Sequence, residues 1–442
     1  MTDPHEAARP YYQAELSAGI ERFLERRRDT CPWCGSTQIS VRLRTSDLVQ
    51  RKPGRFILEE CRTCRHIFQN PRLTPAGLDF YYRDFYDGLG REMAEKTFTA
   101  AEHCYRGRVD LLKRFTTPTA WLDIGAGHGH FCRLARGVWP DAVFDGLDQS
   151  VSVEEAKRLG RIDHSYRGEF VALADELAGR YDVVSMHHYL EHTREPFDEL
   201  DAVSKVLPAG SHLLIELSDP ESLFGRVLGG WWMSWFQPQH QHMIPVRNLV
   251  QALSDRGFST VAVERGAAHH GGDLFLSLAL VLTTVAPDPR LPWLADTPTR
   301  WRQLRHSAVG AVGRRLLVGA YALDSLLSKL VRRTRGATPT GYWLARTAEG
   351  DDTWYPHGTG SPISCRRLPC PVICVSSSLP QPPSWPCLGF PPPEQPRTWT
   401  RRSIMSRSVT PTRPVRGSPR SGPTRSAASA PPTIIRRCSP RR

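Results

Sequence analysis

The stretch from Trp121 to Gly129 constrains the fold of this 442-residue chain more than any other feature. Its sequence, WLDIGAGHG, describes an apolar strand that runs into a glycine-rich turn, with Asp123 two residues before the first glycine. A second apolar strand follows and ends in another acid, Asp148. Glycines tolerate positive φ and let a ligand approach the backbone, and an acid at a strand tip can accept ribose hydroxyls. Together they predict an adenosine-type cofactor at the carboxyl ends of parallel strands.

The glycine spacing separates two kinds of cofactor. Dinucleotide sites carry G-x-G-x-x-G, whereas this turn reads G-x-G-x-G and has His130 where the third dinucleotide glycine would stand. A carboxylate beside the turn also suits the sulfonium and amino groups of S-adenosylmethionine better than a pyrophosphate. An ordinary tight strand-to-helix turn is the alternative. The residues predicted to bind S-adenosylmethionine are Asp123, Gly125, Ala126, Gly127, Gly129, Asp148, Gln149 and His187.

Downstream segments continue the pattern. Residues 181–186 resemble a fourth strand, 213–216 a fifth and 260–263 a late one, and the apolar run after 269–273 is expected to form the last strand. With the glycine turn, these segments resemble the class I S-adenosylmethionine-dependent methyltransferases over residues 105–285. The resemblance implies an α/β fold with a Rossmann-like seven-stranded methyltransferase sheet, assigned to residues 100–285, and methyl transfer as the activity. Around Gly168, in the third strand, no clear acidic adenine-binding motif is found.

Two cysteine pairs near the amino terminus form a C-x2-C…C-x2-C set, Cys31, Cys34, Cys61 and Cys64. Two such turns can complete a tetrahedral zinc site, and four thiolates leave no open position, so the expected role is structural. Strands over 41–43 and 56–58, joined at 52–54, give the layout of a zinc-ribbon-like domain in residues 28–90. Disulfides or a redox pair are the alternatives. A cysteine-bearing module of this kind precedes the methyltransferase fold in some bacterial sugar and natural-product C-methyltransferases.

Histidines follow the predicted fourth strand directly. Methyl transfer to an oxygen or carbon acceptor needs a base unless the acceptor is already acidic, and histidine titrates near neutrality. We expect the catalytic residues to be among His188, His192 and His242, with a polar loop role as the alternative for each. The segment 231–236 holds three tryptophans where such folds often insert a substrate lid, so it is either a binding surface or core packing.

The carboxyl-terminal third differs in composition. The sequence predicts an amphipathic helix over residues 300–335. Within it, residues 308–331 combine leucines at three- and four-residue spacing with arginines. This helix either packs on the domain or makes a peripheral membrane contact. From Asp351 onward there are fourteen Arg, no Lys, three acids and 19 of the 37 prolines. Residues 346–442 are therefore predicted to be a disordered Pro/Arg/Ser-rich tail, a composition that also fits a GC-rich coding sequence read in the wrong frame.

The formal charge of +13 gives little support to nucleic-acid binding, because the segment from residue 351 carries +11 of it. A secretory signal and a long apolar run are both missing from the sequence, which favours a cytoplasmic location. We expect an S-adenosylmethionine-dependent methyltransferase with bound zinc. Its acceptor would be a small molecule, such as a sugar, another natural-product scaffold or a lipid-like compound. The alternative is a zinc-ribbon nucleic-acid-binding protein or an RNA- or DNA-directed methyltransferase.

Overall fold

Two β-sheets organise the part of the chain that the computed structural model describes, residues 4–84, 102–265, 272–294, 299–331 and 340–347. The strands are β1 (Ile39–Thr45), β2 (Phe56–Cys61), β3 (Ile67–Gln69), β4 (Ala120–Ile124), β5 (Val143–Asp148), β6 (Ser165–Arg167), β7 (Val183–His187), β8 (His212–Ser218), β9 (His242–Met243), β10 (Phe258–Arg265) and β11 (Thr340–Thr347).

The helices alternate with the strands through the middle of the chain. They are α1 (Pro4–Ser17), α2 (Pro75–Tyr82), α3 (Glu102–Leu112), α4 (His130–Arg136), α5 (Ser152–Arg158), α6 (Phe170–Leu177), α7 (Pro196–Val206), α8 (Leu223–Val227), α9 (Val246–Ser254), α10 (Asp273–Val285) and α11 (Arg300–Val331).

The larger sheet has seven strands in the order β10-β11-β8-β7-β4-β5-β6. Strands β8, β7, β4, β5 and β6 are parallel neighbours, and β11 runs antiparallel between β8 and β10. Its strands are apolar on both faces because helices cover both. Leu122 and Val184 belong to one core layer, and Trp121 packs against Phe131 and Phe144 in the other. The predicted α/β fold with a Rossmann-like seven-stranded sheet is confirmed.

Two details of the carboxyl-terminal part differ from expectation. The apolar run after Asp273 is the helix α10, not a strand; a short apolar run does not distinguish the two by periodicity, and its 13 residues favour a helix. The seventh strand is instead β11, whose residues pair with β8 on one side and β10 on the other. It lies beyond the assigned 100–285 and ends inside the predicted tail; the rest of that tail lies outside the described residues.

The smaller sheet has the order β1-β2-β3-β9. Its β1–β2 hairpin agrees with the strands predicted around residues 41–43 and 56–58. Its fourth strand, β9, comes from the chain that follows β8, so the two sheets are connected by more than a linker. The tryptophan segment packs beside it: Trp232 and Trp235 are buried with Leu58. Core packing is therefore the role of these two side chains, whereas Trp231 is partly exposed.

The expected tip of the hairpin is not a solvent-exposed turn. Lys52 is buried, and its Nζ donates hydrogen bonds to the carbonyls of Phe80 at 2.7 Å and Arg83 at 2.6 Å. The rings of Tyr12, Phe80 and Trp293 surround the ammonium group at 5.1–5.6 Å. The lysine thus ties α1 and α2 to the hairpin.

The structure gives a boundary for truncation. We expect a chain that ends after residue 350 to keep its fold, whereas one that ends after residue 339 loses β11 and leaves β8 and β10 without their shared partner. Each lost backbone hydrogen bond costs about 0.5–1.5 kcal/mol, and the sum is comparable with a domain's total stability of about 5–15 kcal/mol. Thermal unfolding of the two truncated proteins would measure the difference. Equal melting temperatures would contradict the placement of β11.

Candidate functional site

The glycine turn after β4 has three left-handed residues with different surroundings. Gly125, Gly127 and Gly129 have φ of 76°, 51° and 67°. A Cβ on Gly125 would lie 2.9 Å from the ring of Tyr189, and one on Gly129 would lie 3.0 Å from Ala156. A Cβ on Gly127 would meet nothing within 4 Å. The outer glycines are therefore required by packing, and the middle one faces open space at the carboxyl edge of the sheet.

The two strand-tip acids face this turn. Asp148 accepts hydrogen bonds from the amides of Gly127 at 2.9 Å and Ser150 at 2.8 Å, which places its carboxylate directly against the open glycine. Asp123 is buried and accepts a hydrogen bond from the Ser185 hydroxyl at 2.6 Å. Burial raises the pKa of both acids, that of Asp123 to about 6. Gln149 follows Asp148, and Ala126 lies within the turn itself.

His187, at the end of β7, lies between two carboxylates. Its Nε2 is 3.9 Å from Asp123 Oδ1, and its Nδ1 is 3.6 Å from Glu216 Oε2. Neither ring nitrogen has a hydrogen-bond partner among the described residues, although the side chain is buried. Burial, together with the nearby Arg108, lowers the pKa of His187 to about 3. A neutral imidazole with two unsatisfied nitrogens therefore lies beside Asp123, at the end of the strand that pairs with β4.

His188 belongs to a buried charge network. The Arg108 guanidinium on α3 donates to Glu216 at 2.6 Å, and the same carboxylate lies 3.4 Å from His188 Nε2. The other ring nitrogen of His188 is 3.0 Å from Glu191. Burial opposes protonation, but Glu216 and Glu191 outweigh it and raise the pKa of His188 to about 10. His188 also has φ of 50°, an uncommon value for a non-glycine residue that often marks functional loops.

His192 lies four residues further on and faces the amino-terminal module, the part of the chain that carries the cysteine loops and α2. The Tyr82 hydroxyl on α2 is 2.6 Å from His192 Nδ1, and the ring of His240 is 4.5 Å away by centroids. Burial lowers the pKa of His192 below its ordinary value. Phe236, whose φ is 41°, closes the same small group of rings. The imidazole is thus neutral at pH 7 and remains partly exposed.

His242 lies elsewhere, on β9 in the smaller sheet. Its Nδ1 is 3.0 Å from His66 Nε2, and its Nε2 is 3.4 Å from the carbonyl of Arg194. Burial lowers the pKa of His242 to about 4. Both nitrogens are engaged between the two sheets, so the three histidines predicted to be catalytic lie in three different environments. His269 and His270, which precede the expected last strand, lie outside the described residues.

The four amino-terminal cysteines converge. Their Sγ atoms all lie within 4.8 Å of one another, with Cys31–Cys64 at 3.7 Å and Cys34–Cys61 at 3.6 Å. A tetrahedron with zinc–sulfur bonds of about 2.3 Å has edges of about 3.8 Å. The separations therefore fit a single ion.

The two cysteine loops also repeat one geometry. The amides of Gly35 and Arg65 donate to the carbonyls of the first cysteine of each pair at 2.9 Å, and both residues have positive φ, 72° and 64°. Each first cysteine in turn donates its amide five residues ahead, to Ser36 or His66. The glycine after Cys34 was a visible signal for this turn, whereas Arg65 adopts the same conformation without one.

Comparison with known proteins agrees with the sheet and the turn. Residues 93–263 match a family model described as a methyltransferase domain. This segment is a class I methyltransferase domain. An uncharacterized protein of Methanocaldococcus jannaschii is 22% identical over 171 residues, which cover 38% of this chain and 79% of the relative.

Several solved methyltransferases resemble the methyltransferase domain and its flanking chain. One from Archaeoglobus fulgidus has 16% identity, covers 55% of this chain and 94% of that one, and has a TM-score of 0.34. The human N-acetylserotonin methyltransferase, solved with S-adenosylmethionine, has 15% identity, coverage of 43% and 56%, and a TM-score of 0.36. The plantazolicin methyltransferase BamL has 14% identity, coverage of 62% and 94%, and a TM-score of 0.37. Neither identities nor scores of this size transfer a substrate to this chain.

Several residues of the site were not found from the sequence. Arg108 lies on α3, before the glycine motif, and no spacing rule connects it to Glu216 on β8. Tyr82 lies in the amino-terminal module, inside an aromatic run that reads as core. Ser185 is one residue of an apolar strand, yet it bridges Asp123 and the indole of Trp121, whose Nε1 donates to it at 2.8 Å. Each of these contacts arises only when distant parts of the chain meet.

The charge network predicts a pH dependence of the stability of the methyltransferase domain. Because the pKa of His188 is raised from 6.5 to about 10, its ion pairs stabilise the fold fully below pH 6.5, and this contribution is lost as the pH rises toward 10. The variant His188→Asn tolerates the positive φ but lacks the charge. We expect its melting temperature to lie below that of the wild type at pH 6.5 and to approach it at pH 10. Parallel melting curves across this range, measured by circular dichroism, would contradict the charged state.

Proposed function

We propose that this protein transfers a methyl group from S-adenosylmethionine to a small-molecule acceptor. The observation that carries the proposal is the carboxyl edge of the parallel strands, where Gly127 follows β4, Asp148 ends β5 and His187 ends β7. It combines open space beside a left-handed glycine, a carboxylate aimed at that space, and a buried imidazole with unsatisfied nitrogens. Asp148 would accept hydrogen bonds from the ribose hydroxyls of S-adenosylmethionine. The turn from Gly125 to Gly129 would pass along the cofactor, and Asp123 would lie near its positively charged sulfonium and amino groups.

The reaction needs orientation and a proton acceptor. S-adenosylmethionine supplies an activated methyl group on a sulfonium, which becomes a neutral thioether when the acceptor atom takes the methyl. The chain must hold the acceptor in line with that carbon–sulfur bond and exclude water. The proton of the acceptor goes to a protein base, which must be unprotonated at neutral pH.

His192 is the base that this proposal favours among the three predicted histidines. His188 is an imidazolium held by two carboxylates, so it has no free lone pair to receive a proton. His242 is engaged by His66 and the Arg194 carbonyl. His192 is neutral and partly exposed. Its Nδ1 lies 2.6 Å from the Tyr82 phenol oxygen and 3.3 Å from the Gln239 carbonyl, so an Nδ1 proton donated to these oxygens leaves the Nε2 lone pair to act as the base. The phenol would orient the imidazole of His192. His188 would contribute a positive charge and hold the loop after β7 in position.

Zinc in the cysteine cluster would be structural. Four thiolates complete its coordination and leave no position for substrate. The ion would fix the loops that carry the β1–β2 hairpin and hence the position of α2, which brings Tyr82 to His192. The metal would then affect the reaction only by holding Tyr82 in position beside His192.

The nucleic-acid alternative is weakened by the contacts of the basic residues around the hairpin. Lys52 is buried and bonded to backbone carbonyls. Arg42 and Arg65 both face Glu60, at 3.8 Å and 2.8 Å, and Arg51 donates to Thr284. Phosphate binding relies on exposed, uncompensated cations. Lys52 is buried, and Arg42 and Arg65 share the Glu60 carboxylate, so the exposed arginines Arg44, Arg55 and Arg62 are what this alternative still rests on.

Binding of S-adenosylmethionine is the direct test. Each hydrogen bond to a charged acceptor is worth about 1.5–3 kcal/mol, so Asp148→Asn should weaken binding at least tenfold. Calorimetry with purified full-length protein would measure this. The matched control is Asp175→Asn on α6, an exposed acid that pairs with Lys205, and it should bind as the wild type does. Unchanged affinity of Asp148→Asn would remove the main support for the cofactor site.

The base assignment is tested by turnover. We expect His192→Asn to lower the release of S-adenosylhomocysteine by about 10²–10⁴-fold, with binding of S-adenosylmethionine unchanged. Tyr82→Phe should shift the pH profile and cause a smaller loss. The assay would use a small-molecule extract of the source cells, with RNA and DNA in parallel arms, and His164→Asn as the exposed control. Turnover that depends only on nucleic acid would favour the alternative function.

Zinc is tested by elemental analysis. We expect one ion per purified chain, loss of that ion in Cys61→Ser, and retention in Cys104→Ser, a buried cysteine outside the cluster. Because a structural ion contributes folding energy, the Cys61 variant should expose the amino-terminal module to proteolysis while it still binds S-adenosylmethionine. Metal-free wild-type protein with all four thiols reduced would contradict the site.

A further inference from the structure

Helices α10 and α11 form a hairpin. One face of α11 packs against α10, and the opposite face is exposed. On the packed side, His306 Nδ1 donates to the carbonyl of Ala286 at 2.9 Å, and Gly313 fits against Leu282, where a Cβ would be 2.8 Å from a methyl carbon. The buried Asp324 accepts the amides of Leu274 and Phe275 and so caps the start of α10. These contacts fix which face of α11 is turned to the protein.

The opposite face of α11 is apolar and exposed. Six of its large apolar side chains are 48–72% exposed and recur at three-, four-, seven- and eight-residue spacings, which place residues on one side of a helix. They are Trp301, Leu304, Val312, Leu316, Leu323 and Leu326. At 1.5 Å per residue this stripe is about 38 Å long. An exposed apolar surface of this length marks an interaction site more often than a solvated face.

The exposed charges described on α11 are all positive. Arg300, Arg302, Arg305, Arg314 and Arg315 are all exposed. The one acid between residues 299 and 327 is Asp324, which is buried on the packed side. Two copies of this face would bring arginines against arginines, which disfavours a homodimer through α11. A nucleic-acid backbone would match the arginines but leave the apolar stripe in water.

We propose that α11 binds the surface of a membrane that contains anionic lipids. The stripe from Trp301 to Leu326 would enter the boundary between head groups and acyl chains, and the arginines would reach lipid phosphates. This pattern, with tryptophan and leucine on one face and arginine beside them, is that of interfacial helices. Among the described residues no helix is long and apolar enough to cross a membrane, so the helix lies on the surface. The proposal is independent of the methyl-transfer chemistry.

The test is flotation of the full-length protein with vesicles of phosphatidylcholine alone or with about 30% phosphatidylglycerol, whose negative charge attracts nearby cations. We expect binding to the anionic vesicles and little to the neutral ones. The pair Leu316→Ser and Leu323→Ser should weaken binding at least tenfold. The matched pair Val143→Ser and Val171→Ser, exposed apolar residues on β5 and α6, should leave it unchanged. The arginine-rich tail is present in all variants and contributes equally.

Two further measurements keep the result unambiguous. Circular dichroism would show that the serine pairs retain the wild-type melting temperature, and Arg314→Gln with Arg315→Gln should weaken binding to anionic vesicles without altering an apolar contact. Equal binding of wild type and Leu316→Ser/Leu323→Ser would overturn the proposal and assign the attraction to the tail. Analytical ultracentrifugation without vesicles would show whether the wild type is a dimer. A dimer that Leu316→Ser/Leu323→Ser dissociates would assign the stripe to a second copy of the chain and would also overturn the proposal.

Discussion

The buried ion pair between Arg108 and Glu216 fixes the carboxyl end of the larger sheet. Arg108 comes from α3 and Glu216 from the end of β8, and the pair has two contacts of 2.6 Å and 2.5 Å. Removing one partner of such a pair typically costs about 3–5 kcal/mol, because a buried charge is left uncompensated. Burial alone would raise the pKa of Glu216, but Arg108 and His188 hold it well below its ordinary value. The carboxylate therefore stays charged and holds the loop after β7 in place.

Both halves of the candidate site depend on that loop. His188, held at φ of 50° between Glu216 and Glu191, turns the chain so that Tyr189 packs on Gly125. The next turn carries His192 to Tyr82, and the amide of Gln241 donates to the carbonyl of Glu191 at 2.8 Å. One charge network thus positions the glycine turn on one side and His192 on the other. A change at Arg108 should therefore affect both sides, although it belongs to neither.

The sequence predicted what is encoded locally. The glycine turn and its two acids, the strands of the parallel sheet and the paired cysteine loops all occupy contiguous segments with a characteristic pattern. The contacts between segments were not predictable in this way. β11 joins the sheet after a long separation from β8, and Tyr82 meets His192 across 110 positions. Lys52 shows the same limit: its place in the predicted hairpin turn does not reveal that three rings and two carbonyls from other segments bury it.

The amino-terminal module is joined to the methyltransferase domain at the level of single side chains. β9 completes its sheet, Asn248 on α9 donates to the carbonyl of Cys64 at 3.0 Å, and Trp33 packs on Phe197 of α7 with ring centroids 4.5 Å apart. These contacts surround the cysteine loops, so the geometry that would hold the metal also sets how the module sits on the domain. Helix α2 belongs to this module and ends at Tyr82. A shift of the cysteine loops would therefore move the Tyr82 phenol relative to His192. On the proposed function, a metal ligated by the four thiolates would influence proton transfer at His192 through these contacts, without any coordination of substrate.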